Sequence, residues 1–160
     1  MKTGQPRFIV DSMLGSLARK LRLLGIDTAY VRDASDSELK YIVRSEDRIL
    51  LTADEALAHS LKDRAFLVTG NTLRAQLLSL AGRVPVPEGL PLPFSRCLEC
   101  NVPLKAIDPA EARGKVPPYV SQSRETFSSC ASCGRVFWEG THRDRMEREV
   151  EWMMEMIVRA

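Results

Sequence analysis

The chain has 160 residues, 44% of them hydrophobic, which suffices for one good core or for a core domain with a small module that needs a staple. Its net charge of +2 excludes the strongly basic balance that by itself marks a nucleic-acid binder, while leaving RNA or DNA admissible. No run of roughly 18 apolar residues is present and the first seven residues lack the apolar segment of a signal peptide, so a cytoplasmic protein with no membrane span is expected.

In chain order, RFIV (7–10) reads as a strand. Leu14, Leu17, Ala18, Leu21 and Leu24 then recur at three- and four-residue spacing, an apolar stripe on a helix that Gly25 closes. DTAYV (27–31) is a second strand, and SDSE (35–38) has the capping-box pattern that starts a second helix through Leu39, Ile42 and Val43. RILLT (48–52) is a third strand, followed by a helix from about Asp54 to Lys62. AFLVT (65–69) is a fourth strand, and Thr72 to Ala81 forms a fourth helix. Near-continuous apolar strands between helices predict a three-layer α/β fold around a parallel sheet, over 1–83. VPVPEGLPLP (84–93) holds four of the nine prolines and reads as a stiff connector, giving a linker at 84–94. A cysteine-bearing module with a C-terminal helix occupies 95–160. Met146, Val150, Met153 or Met154, and Ile157 line one side of that helix, to be buried on its own domain or on another subunit.

The chemistry sits at two places. Ligands of open parallel sheets collect at the carboxyl ends of the strands, and the first three strands all run into aspartates: Asp11, then Asp33 and Asp36, then Asp54. Carboxylates brought together there repel unless a cation neutralises them, and such hard oxygen ligands suit Mg²⁺ or Mn²⁺. Each aspartate also fits as a helix N-cap, although Ser12 beside Asp11 offers another cap for the first helix. A haloacid-dehalogenase-like phosphatase needs a second Asp where Met13 stands, and a response-regulator receiver needs an acidic pair and a later lysine that are missing. A PIN-type nuclease fits, with Arg19, Lys20 and Arg22 on the first helix either holding a strand's backbone or forming a solvated face.

The second place is CLEC (Cys97, Cys100) and CASC (Cys130, Cys133), two C-x-x-C knuckles separated by 29 residues. Their spacing predicts a closed Cys₄ zinc site, structural because no position stays open to water, in a zinc ribbon with RVFW (135–138) as a strand. Phe127, Phe137 and Trp138 with Arg124 and Arg135 either stack and hold single-stranded nucleic acid or form the ribbon's miniature core.

FIVDSMLGSLARKLRLLGIDT, RILLTAD, PFSRCLECNVPL, KVPPYV and CGRVFWEGTHRDRM, in this order from Phe8 to Met146, resemble the Mut-seven C-terminal RNase domain family, a PIN-like domain joined to a zinc ribbon. The resemblance implies a metal-dependent ribonuclease. By it, Asp11 and Asp54 are metal-binding catalytic carboxylates and Asp36 is the third, with Asp33 close enough to compete. Gly15 fits a position where a side chain would obstruct a neighbour or substrate. Arg19 and Arg22 would position RNA, and the ribbon would present or select substrate or dock a protein partner. The other expectation is a non-catalytic adaptor in which the aspartates are only caps.

Overall fold

The computed structural model describes residues 5–84 and 92–158, so most of the expected linker lies outside the described residues. Four strands, β1 (Phe8–Val10), β2 (Thr28–Tyr30), β3 (Ile49–Thr52) and β4 (Ala65–Leu67), form one parallel sheet in the order β2-β1-β3-β4. Val10 sits beside Tyr30 on one side and Leu51 on the other, and Leu51 beside Phe66. The expected α/β architecture is therefore present.

Successive side chains of a strand point to opposite faces, and both faces of this sheet are covered. Phe8, Val10 and Leu51 join a core with α1 (Gly15–Leu23) and α4 (Leu73–Leu80), while Ile9 and Leu50 join a second core with α2 (Asp36–Ser45) and α3 (Glu55–Leu61). All five strand residues are fully buried, each stabilising the fold by about 2 kcal/mol relative to exposure. The α2 capping box forms as the sequence indicates: Ser35 Oγ accepts from Glu38 N–H and Ser35 N–H donates to the Glu38 carboxylate.

The last helix, α7 (Arg143–Val158), buries Val150, Met153, Met156 and Ile157 in the same core as α1 and α4. Its stripe is thus covered by the helices on one face of the parallel sheet. Between lie three antiparallel strands, β5 (Lys105–Ile107), β6 (Phe127–Ser129) and β7 (Val136–Trp138), and two short helices that open on proline, α5 (Pro109–Ala112) and α6 (Pro118–Ser123). Their core is four buried residues, Ala112, Val116, Val120 and Phe127, too few to hold such a module alone.

Gly25 positions this module. Its φ is +82°, and a Cβ there would lie 2.3 Å from the Leu92 carbonyl oxygen and 2.9 Å from Ser95 Oγ. Only glycine satisfies both the left-handed turn and the close approach. Phe94 N–H then donates to Leu23 O at 2.9 Å, so the ribbon starts against the end of α1.

Candidate functional site

In the order β2-β1-β3-β4 the chain winds one way from β1 to β2 and the other way from β3 to β4, so the topological switch point lies between β1 and β3. Asp11 follows β1 and Asp54 follows β3, which places them on either side of that crevice. Asp11 is 7% exposed. One of its oxygens accepts from Met13 N–H at 2.9 Å, capping the 3-10 turn Ser12–Leu14; the other accepts from the Thr52 hydroxyl and from Ala53 N–H at 3.1 Å. Asp54 caps α3 by accepting from Leu57 N–H at 2.8 Å, and its own N–H donates to Thr52 Oγ1 at 3.0 Å. The fully buried Thr52 hydroxyl therefore links the two acidic positions. In the sequence Thr52 gives no signal of this link, because a β-branched residue closing an apolar strand has a sufficient structural reason to be there.

Asp11 has three hydrogen-bond donors and no cationic side chain paired with it among the described residues. A buried carboxylate without a counter-charge is costly, and the donor set, all oxygen and all hard, fits a divalent cation such as Mg²⁺ or Mn²⁺. Asp36 is exposed in the first turn of α2, where Ser35 takes the capping role, so the capping reading of Asp36 gives way. Asp33 is exposed at φ +57° in the turn after β2. The four aspartates share one edge of the sheet, yet no three of them bring an oxygen each within 4.8 Å of one another.

Gly15 faces Tyr30: a Cβ there would be 3.2 Å from the Tyr30 ring, whose hydroxyl donates to Ser12 O at 3.3 Å. The neighbour that needs this glycine is therefore the β2 tyrosine. The basic residues of α1 are engaged elsewhere. Arg22 is 5% exposed and donates to the carbonyls of Thr28, Leu98 and Glu99 at 2.7–2.9 Å, which removes it from any surface that could hold substrate. Arg19 pairs with Glu99 and Lys20 with Glu149, tying α1 to the first knuckle and to α7.

The four cysteine sulfurs all lie within 4.8 Å of one another, with Cys97 and Cys133 Sγ 3.9 Å apart. Sulfurs about 2.3 Å from one tetrahedral zinc are about 3.8 Å apart, so the spacing fits. Each knuckle turns in the same way. Asn101 N–H donates to Cys97 O and Gly134 N–H to Cys130 O, both at 2.9 Å, with φ +62° at Asn101 and +71° at Gly134. The thiols perturb one another. Burial first, then its neighbouring thiols, raise Cys97 above the usual range. A hydrogen bond from Ser132 favours the Cys100 thiolate, but the surrounding thiols push it up to about 11. Burial opposes ionisation of Cys130, and backbone N–H groups of Cys133 and Ser132 overcome it to bring that thiol down to about 7. Clustered thiols that resist joint ionisation and share one centre are the donor set that a closed zinc site satisfies.

The first knuckle docks at the amino edge of the sheet, opposite Asp11 and Asp54. Asn101 Nδ2 donates to Asp27 at 2.7 Å and its Oδ1 accepts from Thr28 N–H at 2.9 Å. Asp27 also accepts from Arg48 at 2.6 Å and from Arg7 at 3.2 Å. Burial alone would raise the Asp27 pKa, but the hydrogen bonds from Arg48 and Asn101 hold it below its ordinary value.

A parallel sheet with carboxylates flanking its switch point, joined to a four-cysteine ribbon, defines an α/β protein with a thiol cluster able to hold a metal. The family model described as Mut7-C RNAse domain matches residues 6–150, and the chain belongs to that family. This family gives it a nuclease-type role. No curated protein and no solved structure matches the chain. Among the described residues no helix is long and apolar enough to cross a membrane.

Proposed function

We propose that the protein is a metal-dependent ribonuclease that hydrolyses phosphodiester bonds at the carboxyl edge of its parallel sheet. The observation that carries this reading is Asp11: buried, free of any basic partner among the described residues, and linked through Thr52 to the Asp54 turn at the switch point. Asp11 and Asp54 would hold Mg²⁺ or Mn²⁺, with Asp36 or Asp33 as the third ligand. When bound there, the ion supplies an activated water and offsets the charge of the phosphodiester. Thr52 and the Ala53 N–H hold one oxygen of the Asp11 carboxylate in place at the crevice by donating to it. Arg19 stays half-exposed in a surface pair, an interaction worth little, and is the α1 residue left to meet an RNA backbone. The ribbon, held by structural zinc, would bind substrate or a protein partner.

The test is cleavage of single-stranded RNA by purified protein with Mn²⁺. Cleavage that stops with EDTA and in Asp11→Asn and Asp54→Asn, with folding retained, supports the reading; cleavage unchanged in both variants sinks it. Comparing Asp33→Asn with Asp36→Asn assigns the third ligand, since only one should abolish activity. A second reading, a non-catalytic RNA- or protein-binding adaptor, is favoured by the capping bonds of Asp11 and Asp54 and by the separation of the carboxylates. Absence of cleavage at any Mg²⁺ or Mn²⁺ concentration, with RNA still bound, would select it.

A further inference from the structure

Between the ribbon face, α6 and the start of α7 lies a cleft of about 550 Å³ that reaches Leu23 at the end of α1. This volume is in the range of small-ligand sites. Its walls hold four aromatic rings, Phe94, Tyr119, Phe137 and Trp138, together with Arg124 and His142. Tyr119 is 71% and Trp138 37% exposed, although neither is needed outside for folding: the ribbon's own core is formed by Ala112, Val116, Val120 and Phe127. Large aromatic surfaces left in water beside a cleft mark a recognition site rather than packing.

The charge of the lining chooses the ligand. Three arginines, Arg96, Arg124 and Arg143, stand against one acid, Glu139, and that acid is already 3.6 Å from Arg143. Arg96 is spent on the carbonyls of Gly25 and Asn101, and Arg143 on Glu147 and the Phe94 ring. Arg124 alone of the three makes no side-chain hydrogen bond or ion pair among the described residues, and it lines the same cleft as the aromatic rings. An unpaired guanidinium next to stacking faces matches a phosphate next to an unpaired base.

We infer that this cleft is a binding subsite for single-stranded RNA, in which bases stack on Tyr119 and Trp138 while Arg124 meets the adjoining phosphate. A duplex, whose bases are already stacked, does not offer the faces that the rings need. Leu23 lies about 12 Å along α1 from Gly15, beyond which Asp11 begins the acidic edge, so the subsite grips the strand away from the carboxylates. The inference rests on RNA being the substrate in the proposed function, but it concerns binding and is read without cleavage.

The experiment uses the zinc-loaded full chain carrying Asp11→Asn, with Trp152→Phe so that Trp138 is the single tryptophan. A single-stranded RNA of about 12 nucleotides is titrated with its duplex as comparison, and both affinity and Trp138 emission are followed. Expected are quenching of Trp138 by the single strand, weaker binding of the duplex, and an affinity loss of about tenfold or more in each of Tyr119→Ala and Arg124→Gln. Both side chains are exposed, and one zinc per chain in each variant verifies the fold. Wild-type affinity in both variants, or Trp138 emission unmoved by bound RNA, overturns the inference. Unchanged affinity in these variants, together with normal cleavage when Tyr119→Ala and Arg124→Gln are placed in the chain that keeps Asp11, would refute the subsite and leave the nuclease standing. Binding and quenching without any cleavage would do the reverse.

Discussion

Asp27 at the amino edge of the sheet and Asp11 at the carboxyl edge are the same side chain in opposite surroundings. Asp27 is met by the guanidinium groups of Arg48 and Arg7 and by the Asn101 amide, a local charge balance that leaves nothing for a ligand to do. Asp11 is more deeply placed and receives only neutral donors, Met13 N–H, Ala53 N–H and the Thr52 hydroxyl. The amino edge attaches the four-cysteine module, whereas the carboxyl edge keeps a carboxylate with no basic partner among the described residues, as the proposed metal site requires. A carboxylate's partners, rather than its burial, distinguish a structural aspartate from a reactive one.

Four experiments would break or sharpen this contrast. The largest effect is expected from the metal that supports the amino edge: structural zinc contributes roughly 10 kcal/mol or more to a small module. Cys97→Ser should abolish the zinc stoichiometry of about one per chain and melt the ribbon, read by elemental analysis and thermal unfolding. Acid should release the metal as well, since its thiolates must stay deprotonated. Next is Asp11→Asn, which should lower RNA cleavage about a thousandfold, ~4 kcal/mol of transition-state stabilisation, with little change in melting temperature.

Asp27→Ala should do the opposite, leaving the reaction centre intact but costing about 2 kcal/mol in urea unfolding, because buried Arg48 loses one of its two carboxylate partners and keeps only the more exposed Glu46. Its acid dependence has a definite sign. Asp27 has a folded pKa below the ordinary value of 3.8. The stability it gives is therefore present above about pH 4 and lost as pH falls through the depressed pKa, so the variant's stability should vary less with pH there than the wild type's. The smallest effect is expected from Thr52→Val, about 1–2 kcal/mol, from one lost buried hydrogen bond and an Asp54 N–H left without its acceptor. Thr52→Ser should restore both stability and cleavage, whereas recovery in neither would remove Thr52 from the site.

Much of the parallel sheet was legible because its signals are local and periodic. FIV, TAY, ILLT and AFL are short apolar runs, the α1 stripe repeats at three and four residues, and SDSE carries a capping box that forms as written. The ribbon was legible through its cysteines and through RVFW, which forms β7. β5 and β6, of sequence KAI and FSS, have no apolar alternation strong enough to announce a strand, because cysteine spacing rather than a large core organises this module. The α1 arginines show the limit most sharply. Arg22 looks like an exposed base on a helix, and its partners Leu98 and Glu99 lie 76 and 77 residues away. No periodicity in the chain encodes that contact. Gly15 carried a signal that something approaches closely, but only the fold names Tyr30 as the neighbour.

The two knuckles are near copies at the level of the backbone, and they differ where the turn becomes left-handed: asparagine at 101, glycine at 134. Glycine is the usual occupant of such a turn, and a Cβ at Gly134 would meet nothing within 4 Å. The second knuckle is therefore a portable hairpin, able to serve wherever its thiols are needed. The first has exchanged that neutrality for an amide that grips Asp27 and Thr28, which turns a module on a tether into a fixed part of the body that carries it.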